Sequence, residues 1–159
     1  VANTLDTPNI RVRASAVVSA KTHGERELVA VTAAHRAYEM AGLGPKDLDV
    51  IELHDATAPA ELFHYENLGL CAPGDAVALI RSGDTAVGGR IPVNPSGGLM
   101  SRGHPIGATG ASQIIELVQH LRGTAGARQT EGAKVALAEN NGGQLAGDSA
   151  VAVVTILSV

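Results

Sequence analysis

Three short stretches of the chain carry side chains able to move a proton or hold an oxygen: His54-Asp55, the block around His104, and Asn140-Asn141-Gly142-Gly143. The densest is Asn94 to Gly110, Asn-Pro-Ser-Gly-Gly-Leu-Met-Ser-Arg-Gly-His-Pro-Ile-Gly-Ala-Thr-Gly. Its glycines allow turns and close approach to the main chain. Pro105 follows His104 and precedes an apolar-periodic run, a place where proline is tolerated at a helix start. The spacing predicts a helix over Ile106 to about Arg122, with His104 in a tight loop aimed along its first turn. Unpaired backbone N–H groups and a positive dipole end are expected there. A histidine in that setting can shuttle a proton or donate to an oxygen that gains charge.

Two neutral histidines with backbone N–H groups can hold a water and polarise a carbonyl oxygen. An asparagine adds a donor and an acceptor that do not titrate. The catalytic candidates are therefore His104, His54 and Asn140. Gly103, Gly142, Gly143 and Asp55 are the candidates for lining a substrate. Each stretch also has a plainer reading. His54-Asp55 fits a helix N-cap, with Asp55 capping and His54 merely exposed. Asn140 to Gly143 fits a hairpin turn. The coincidence of all three favours a site.

The elements that must position these residues alternate. A strand is expected over Ile10 to Ala20, a polar loop over Lys21 to Glu25, and a helix over Arg26 to Ala41. That helix places Leu28, Val31, His35 and Tyr38 on one face, with His35 and Tyr38 as packing residues, and Gly42, Gly44 and Pro45 close it. A strand over Asp47 to Leu53 ends on His54-Asp55, and a helix follows over Ala58 to Leu68. After a turn at Pro73 to Asp75 comes a short helix, Ala76 to Arg81. A loop then leads through Ile91-Pro92-Val93 into the glycine block. The long helix carries an apolar stripe of Ala108, Ala111, Ile114, Ile115, Val118 and Leu121. Strands at Ala133 to Ala138 and Ser149 to Leu157 flank an irregular Gly-rich stretch, Glu139 to Asp148. The connection is too short for a helix crossover, so the last two strands should pair antiparallel. Alternation of this kind implies an α/β domain with a mainly parallel sheet. Ligands of such sheets bind beyond the C-terminal ends of the strands. Residues 1–159 read as one domain.

The 159 residues are 45% hydrophobic, enough for a real core. With 12 Lys+Arg, 16 Asp+Glu and a net charge of −4, no basic face for nucleic acid is expected, and 2% aromatics leave little for base stacking. The Gly103-x-x-x-Gly107-x-x-Gly110 spacing lacks the Gly-x-Gly of a dinucleotide loop, and no Lys-Ser/Thr follows it. No ligand spacing for zinc and no acidic cage for calcium is evident, so no metal is expected. One cysteine, Cys71, excludes an internal disulfide. It sits past a helix end and reads as structural rather than nucleophilic. A reducing cytoplasm fits, and neither a signal peptide nor a membrane span is expected. The start on Val1 rather than Met suggests a fragment of something longer.

From Ile10 to Leu157 the chain resembles the C-terminal half of the thiolase superfamily, nearest its sterol-carrier-protein-type thiolases and thiolase-like lipid-transfer proteins. Glu52-Leu53-His54-Asp55, Asn94-Pro95-Ser96-Gly97-Gly98 and Gly103-His104-Pro105-Ile106-Gly107 carry the resemblance. It implies an α/β, thiolase-like C-terminal domain with a mixed five-stranded sheet flanked by helices. It also implies an N-terminal half, absent from this chain, that carries the nucleophilic cysteine, and a tendency of this half to dimerise through the exposed inter-half surface. By resemblance, His104 activates that thiol and helps bind the thioester oxygen, while His54 holds a water or the oxygen itself.

The substrate class implied is acyl-CoA, with coenzyme A as substrate and no cofactor, and the reaction is acyl transfer or thiolysis of a β-ketoacyl-CoA in lipid or sterol metabolism. Two departures bear on this. The second, acid/base cysteine of the family falls either in a Cys-x-Gly-Gly-Gly loop or directly after His-Asp. Here those places hold Asn140-Asn141-Gly142-Gly143-Gln144 and Ala56. An amide or a methyl cannot exchange protons as a thiol does. Related thiolase-like proteins act as aldolases on steroid side-chain CoA thioesters, often with a small acyl-CoA-binding partner protein. A retro-aldolase half-site is thus the second expectation, with Tyr65 an acid/base candidate by elimination. A non-catalytic lipid- or CoA-binding scaffold is the third.

Overall fold

The computed structural model describes residues 8–21, 27–145 and 147–159. The chain start read for a leader, Arg26 at the expected helix start, and all but Lys21 of the polar loop expected over Lys21 to Glu25 lie outside them.

The first strand, β1 (Arg11–Ser19), alternates exposed and buried residues along its second half, Ala14, Ala16 and Val18 facing inward. Helix α1 (Val29–Ala41) buries Ala30, Ala33, Ala34, Ala37 and Ala41, a face of methyl groups that lets it lie close on the sheet. Its buried face is rotated from the one read from the sequence: Leu28 and His35 are exposed, and only Tyr38 of that set is buried. The small alanines win the interface because the sheet admits a close helix, and the bulkier residues turn outward. Tyr38 Oη donates to the Leu68 carbonyl at 2.9 Å, tying α1 to the next helix. Gly42, at φ 65, ends α1 as expected.

Strand β2 (Val50–Glu52) is fully buried and pairs parallel with β3 (Val135–Leu145). β3 pairs antiparallel with β4 (Asp148–Ser158), which pairs antiparallel with β1, giving the order β1-β4-β3-β2. The sheet is thus four-stranded and mixed. That is one strand fewer than the five expected; the loop through Ile91-Pro92-Val93 adds only a single parallel bridge between Ile51 and Val93. Pro92 and Pro95 flank that bridge and have no N–H to extend the ladder.

Helix α2 (Ala58–Asn67) and short α3 (Ala76–Ser82) follow β2. Next comes α4 (Gly98–Arg102), which was not expected, and then α5 (Thr109–Arg122). One core lies between the sheet and α1 and α2, built on Ile51, Leu53, Leu137, Val154 and Ile156. The other lies between the opposite face and α5, with Val50, Ala136, Leu117 and Leu121. Helices therefore cover both faces of the sheet.

α5 differs from its reading in two respects. It begins at Thr109, not Ile106, because residues 106–108 form a turn closed by the Ala108 and Thr109 amides on the Pro105 carbonyl. It also faces the sheet with Gln113, Glu116, Leu117, His120 and Leu121, leaving Ile115 59% exposed and Ile114 and Val118 half-buried. The polar inward residues are paired: Glu116 with Arg128 at 2.8 Å, and His120 Nδ1 with the Thr130 amide at 3.0 Å. Of the expected stripe, Leu121 is buried in this core and Ile114 and Val118 pack against it, while Ala108, Ala111 and Ile115 turn outward. Among the described residues no helix is long and apolar enough to cross a membrane.

Candidate active site

β2, the Val93 bridge and β3 run parallel, so their C-terminal ends reach one edge of the sheet. His54 follows β2, the glycine block follows Val93, and Asn140 to Gly143 end β3. The two histidines meet there. Their ring centroids are 4.9 Å apart with planes at 85°, an edge-to-face pair.

The His54 turn is held from two sides. Its backbone N–H donates to Glu139 Oε2 at 2.9 Å, and the Leu53 N–H donates to Asn94 Oδ1 at 2.8 Å. Asn94 adopts a left-handed φ of 50, a conformation that asparagine tolerates better than most residues. Burial and the neighbouring imidazoles of His104 and His64 push His54 down to about 4, so it is neutral near pH 7. Its Nδ1 is buried without a partner among the described residues. A neutral ring with that freedom can present Nε2–H to an oxygen.

Asp55 does not cap its own helix. The residue at the start of α2 is Thr57. Asp55 is buried and reaches across to α4, where Oδ1 accepts the Leu99 amide at 2.7 Å and Oδ2 the Met100 amide at 3.4 Å. This remote cap locks the glycine block to the His54 turn. Glu52 adds a second lock: its carboxylate accepts the Ser96 hydroxyl at 2.7 Å and Arg102 at 3.2 Å, while burial pushes it up to about 7. Asp55 is thus spent on positioning and lies off the cleft.

His104 is exposed, five residues ahead of α5. Its Nδ1 is 2.8 Å from Thr109 Oγ1, which is 3.2 Å from the Pro105 carbonyl. Rotation of that one hydroxyl decides the tautomer. Donated to Nδ1, it leaves Nε2–H as a donor; donated to Pro105, it leaves Nε2 as a base.

The rings border a cleft of about 670 Å³ that also takes in His64, Asn141, Gly142 and Gly143, with exposed Phe63 and Ile106 among its lining residues. Gly103 is not among its lining residues. Nor is Asn140. The stretch expected to be irregular is strand, so side chains alternate. Asn140 turns to α5 and donates to Gln113 at 2.9 Å, and Asn141 takes the cleft side. The hairpin turn falls after Leu145, not at Asn140 to Gly143. A second hollow of about 440 Å³, between β1, α1 and the hairpin end, holds none of these three histidines.

Sequence reasoning missed His64 and Glu139. His64 is buried on α2, one helical turn past Ala60, which also lines the cleft. That spacing was the available signal. Its Nε2 is 3.1 Å from Asn141 Nδ2, and its Nδ1 is 3.7 Å from Glu139 Oε1. Tyr65 is fully buried and donates to Glu61 at 2.7 Å, so it does not reach the cleft. Cys71 is not among the cleft's lining residues either, and burial raises its thiol. Among the described residues no three His, Cys, Asp or Glu side chains converge as metal ligands.

Burial also raises the Glu139 carboxyl from 4.5 to about 7. The folded state therefore holds a proton that the unfolded chain releases. The stabilisation is complete below about 4.5 and is lost as pH rises through about 7. Glu139→Gln removes that loss. Relative to the parent protein, the variant should gain about 2 kcal/mol between pH 5.5 and pH 8 in urea unfolding. An equal difference at both pH values would contradict the assignment.

The fold and site define an α/β domain with paired histidines beyond its parallel strand ends. A model of the family described as Thiolase C-terminal domain-like matches residues 14–158, and the chain belongs to that family. It is 57% identical over 110 residues to "Sterol carrier protein 2" of Bos taurus, covering 69% of this chain and 20% of that protein. It is 44% identical over 144 residues to "Acetyl-CoA acetyltransferase" of Methanothermobacter thermautotrophicus, covering 87% of this chain and 37% of that one. Among solved structures, "Ltp2-ChsH2(DUF35) aldolase" superposes with a TM-score of 0.78 at 25% identity, covering 96% of this chain and 41% of that chain. The chain thus spans between a fifth and about two fifths of the length of these relatives.

Proposed function

We propose that this chain supplies the oxyanion-binding half of an enzyme that breaks or makes a carbon–carbon bond beside the thioester of an acyl-CoA. The observation that carries the reading is the His54–His104 pair, 4.9 Å apart at the cleft. Two imidazoles at that separation can both reach one carbonyl oxygen and stabilise it as an enolate. Phe63 and Ile106 offer apolar surface to an acyl chain. The thiolase-type relatives favour a thioester over other carbonyl compounds.

Within that class, retro-aldol cleavage of a β-hydroxyacyl-CoA is favoured over thiolysis of a β-ketoacyl-CoA. Ala56 lines the cleft where the sterol-carrier branch has its acid/base thiol, and the single cysteine of the chain lies elsewhere. Retro-aldol chemistry needs a base and an oxyanion site but no acylated cysteine. The similarity to a solved aldolase points the same way, and a small acyl-CoA-binding partner protein fits this reading.

The test is a substrate comparison in the full-length protein that carries this chain. Acetoacetyl-CoA thiolysis and β-hydroxyacyl-CoA cleavage are assayed side by side. Cleavage of the hydroxyacyl ester at least tenfold faster than thiolysis is expected. The reverse order would return the site to thiolase chemistry, and CoA-ester binding without turnover of either would leave a scaffold.

A further inference from the structure

We infer that His64 and Glu139 form a proton relay serving this cleft, with His64 as the base that meets the substrate and Glu139 as the group that finally holds the proton. The inference rests on the thioester reading above and deepens it.

Two buried atoms carry the argument. His64 Nδ1 and Glu139 Oε1 face each other at 3.7 Å, and neither has a hydrogen-bond partner among the described residues. Left unpaired, each bears its full desolvation penalty. At 3.7 Å they stand just beyond hydrogen-bond reach, and closing that gap by less than an ångström lets one proton satisfy both. Glu139 is fully buried, and its other oxygen accepts the His54 amide, so the carboxyl cannot turn to another partner. The far nitrogen of His64, Nε2, lies at the cleft, where Asn141 Nδ2 occupies it at 3.1 Å. A substrate hydroxyl can displace that amide.

The groups facing His64 are Glu139 from β3, Asp148 from the start of β4, Asp55 from the turn after β2, and His54. The two aspartates favour a proton on the ring, but burial outweighs them and pushes His64 down to about 4 while raising Glu139 to about 7. A proton entering at Nε2 is therefore passed on rather than kept. The imidazole stays neutral and Glu139 becomes the neutral acid.

The balance for a β-hydroxyacyl thioester is complete. The hydroxyl proton goes to Nε2 and the Nδ1 proton goes to Glu139 Oε1. The Cα–Cβ bond breaks, the hydroxyl carbon leaves as an aldehyde or ketone, and the electron pair remains on the enolate held by His54 and His104. Return of the proton from Glu139 to Nδ1, and from Nε2 to the enolate carbon, releases the shortened acyl-CoA and restores the pair.

The test uses the full-length protein in two arms. In the first, the imidazole nitrogen signals of His64 are followed by NMR from pH 5.5 to 9. A midpoint near 7 that disappears in Glu139→Gln is expected; a flat His64 signal overturns the relay whatever the turnover. In the second, hydroxyacyl-CoA cleavage is profiled against pH. His64→Gln and Glu139→Gln should each lower kcat by about 10²–10⁴-fold, with KM within about threefold, and abolish the rise in rate centred near pH 7. A kcat and a pH profile unchanged by His64→Gln overturn the proposal and leave the retro-aldol reading standing. A titrating pair in a parent protein that cleaves no hydroxyacyl ester overturns both.

Discussion

Replacing His104 with alanine is expected to lower turnover of the acyl-CoA substrate by about 10²–10³-fold, the usual loss when one oxyanion donor is removed. The loss should fall on kcat, because the ring meets charge that develops only as the bond breaks. Stability should change little. His104 is exposed, and its one side-chain bond is to Thr109, whose hydroxyl keeps the Pro105 carbonyl as a partner. His104→Asn offers an amide donor in place of the ring and should recover part of the rate. A His104→Ala protein with undiminished kcat and an unchanged melting temperature would remove this ring from the chemistry.

Gly98→Ala should have the largest effect on the fold, destabilising it by about 3–5 kcal/mol. Gly98 sits at a left-handed φ of 63, and an added Cβ would lie 2.1 Å from Asp55 Oδ2. Asp55 is buried and engaged with the Leu99 and Met100 amides, so it has nowhere to go without leaving α4 uncapped. In a chain of this size the loss corresponds to a drop in melting temperature of roughly 10 °C. Gly42 is the control. Its φ of 65 matches that of Gly98, but nothing stands within 4 Å of its Cβ position. Gly42→Ala should cost only about 1–2 kcal/mol. Equal losses at the two positions would show that backbone strain alone matters and that the Asp55 lock does not.

The strand end that delivers His54 could be read from the sequence because a short apolar run stops at His-Asp, and the loop that delivers His104 because its glycines and Pro105 punctuate it. What failed was parity and partner. Glu139 to Leu145 is rich in Asn and Gly and looks irregular, yet pairing with β4 makes it a strand. Once it is a strand, alternation sends Asn140 to α5 and Asn141 to the cleft. The α5 stripe holds in part: Ile114, Val118 and Leu121 meet the core, but Ile115 turns outward because polar Gln113, Glu116 and His120 find buried partners on the inner side. Beyond β2 the sheet gains only the Ile51–Val93 bridge, because two prolines bracket Val93. His64 escaped notice because a lone histidine on an amphipathic helix resembles packing until the depth of Glu139 beneath it is known.

The central claim is that two imidazoles share one oxygen. The most direct measurement is a crystal structure of the full-length protein bound to an acyl-CoA that lacks the β-hydroxyl and so cannot undergo the cleavage. The carbonyl oxygen should lie about 3 Å from a ring nitrogen of both His54 and His104, with the acyl chain against Phe63 and Ile106. A carbonyl bound beyond hydrogen-bond reach of either ring would contradict it.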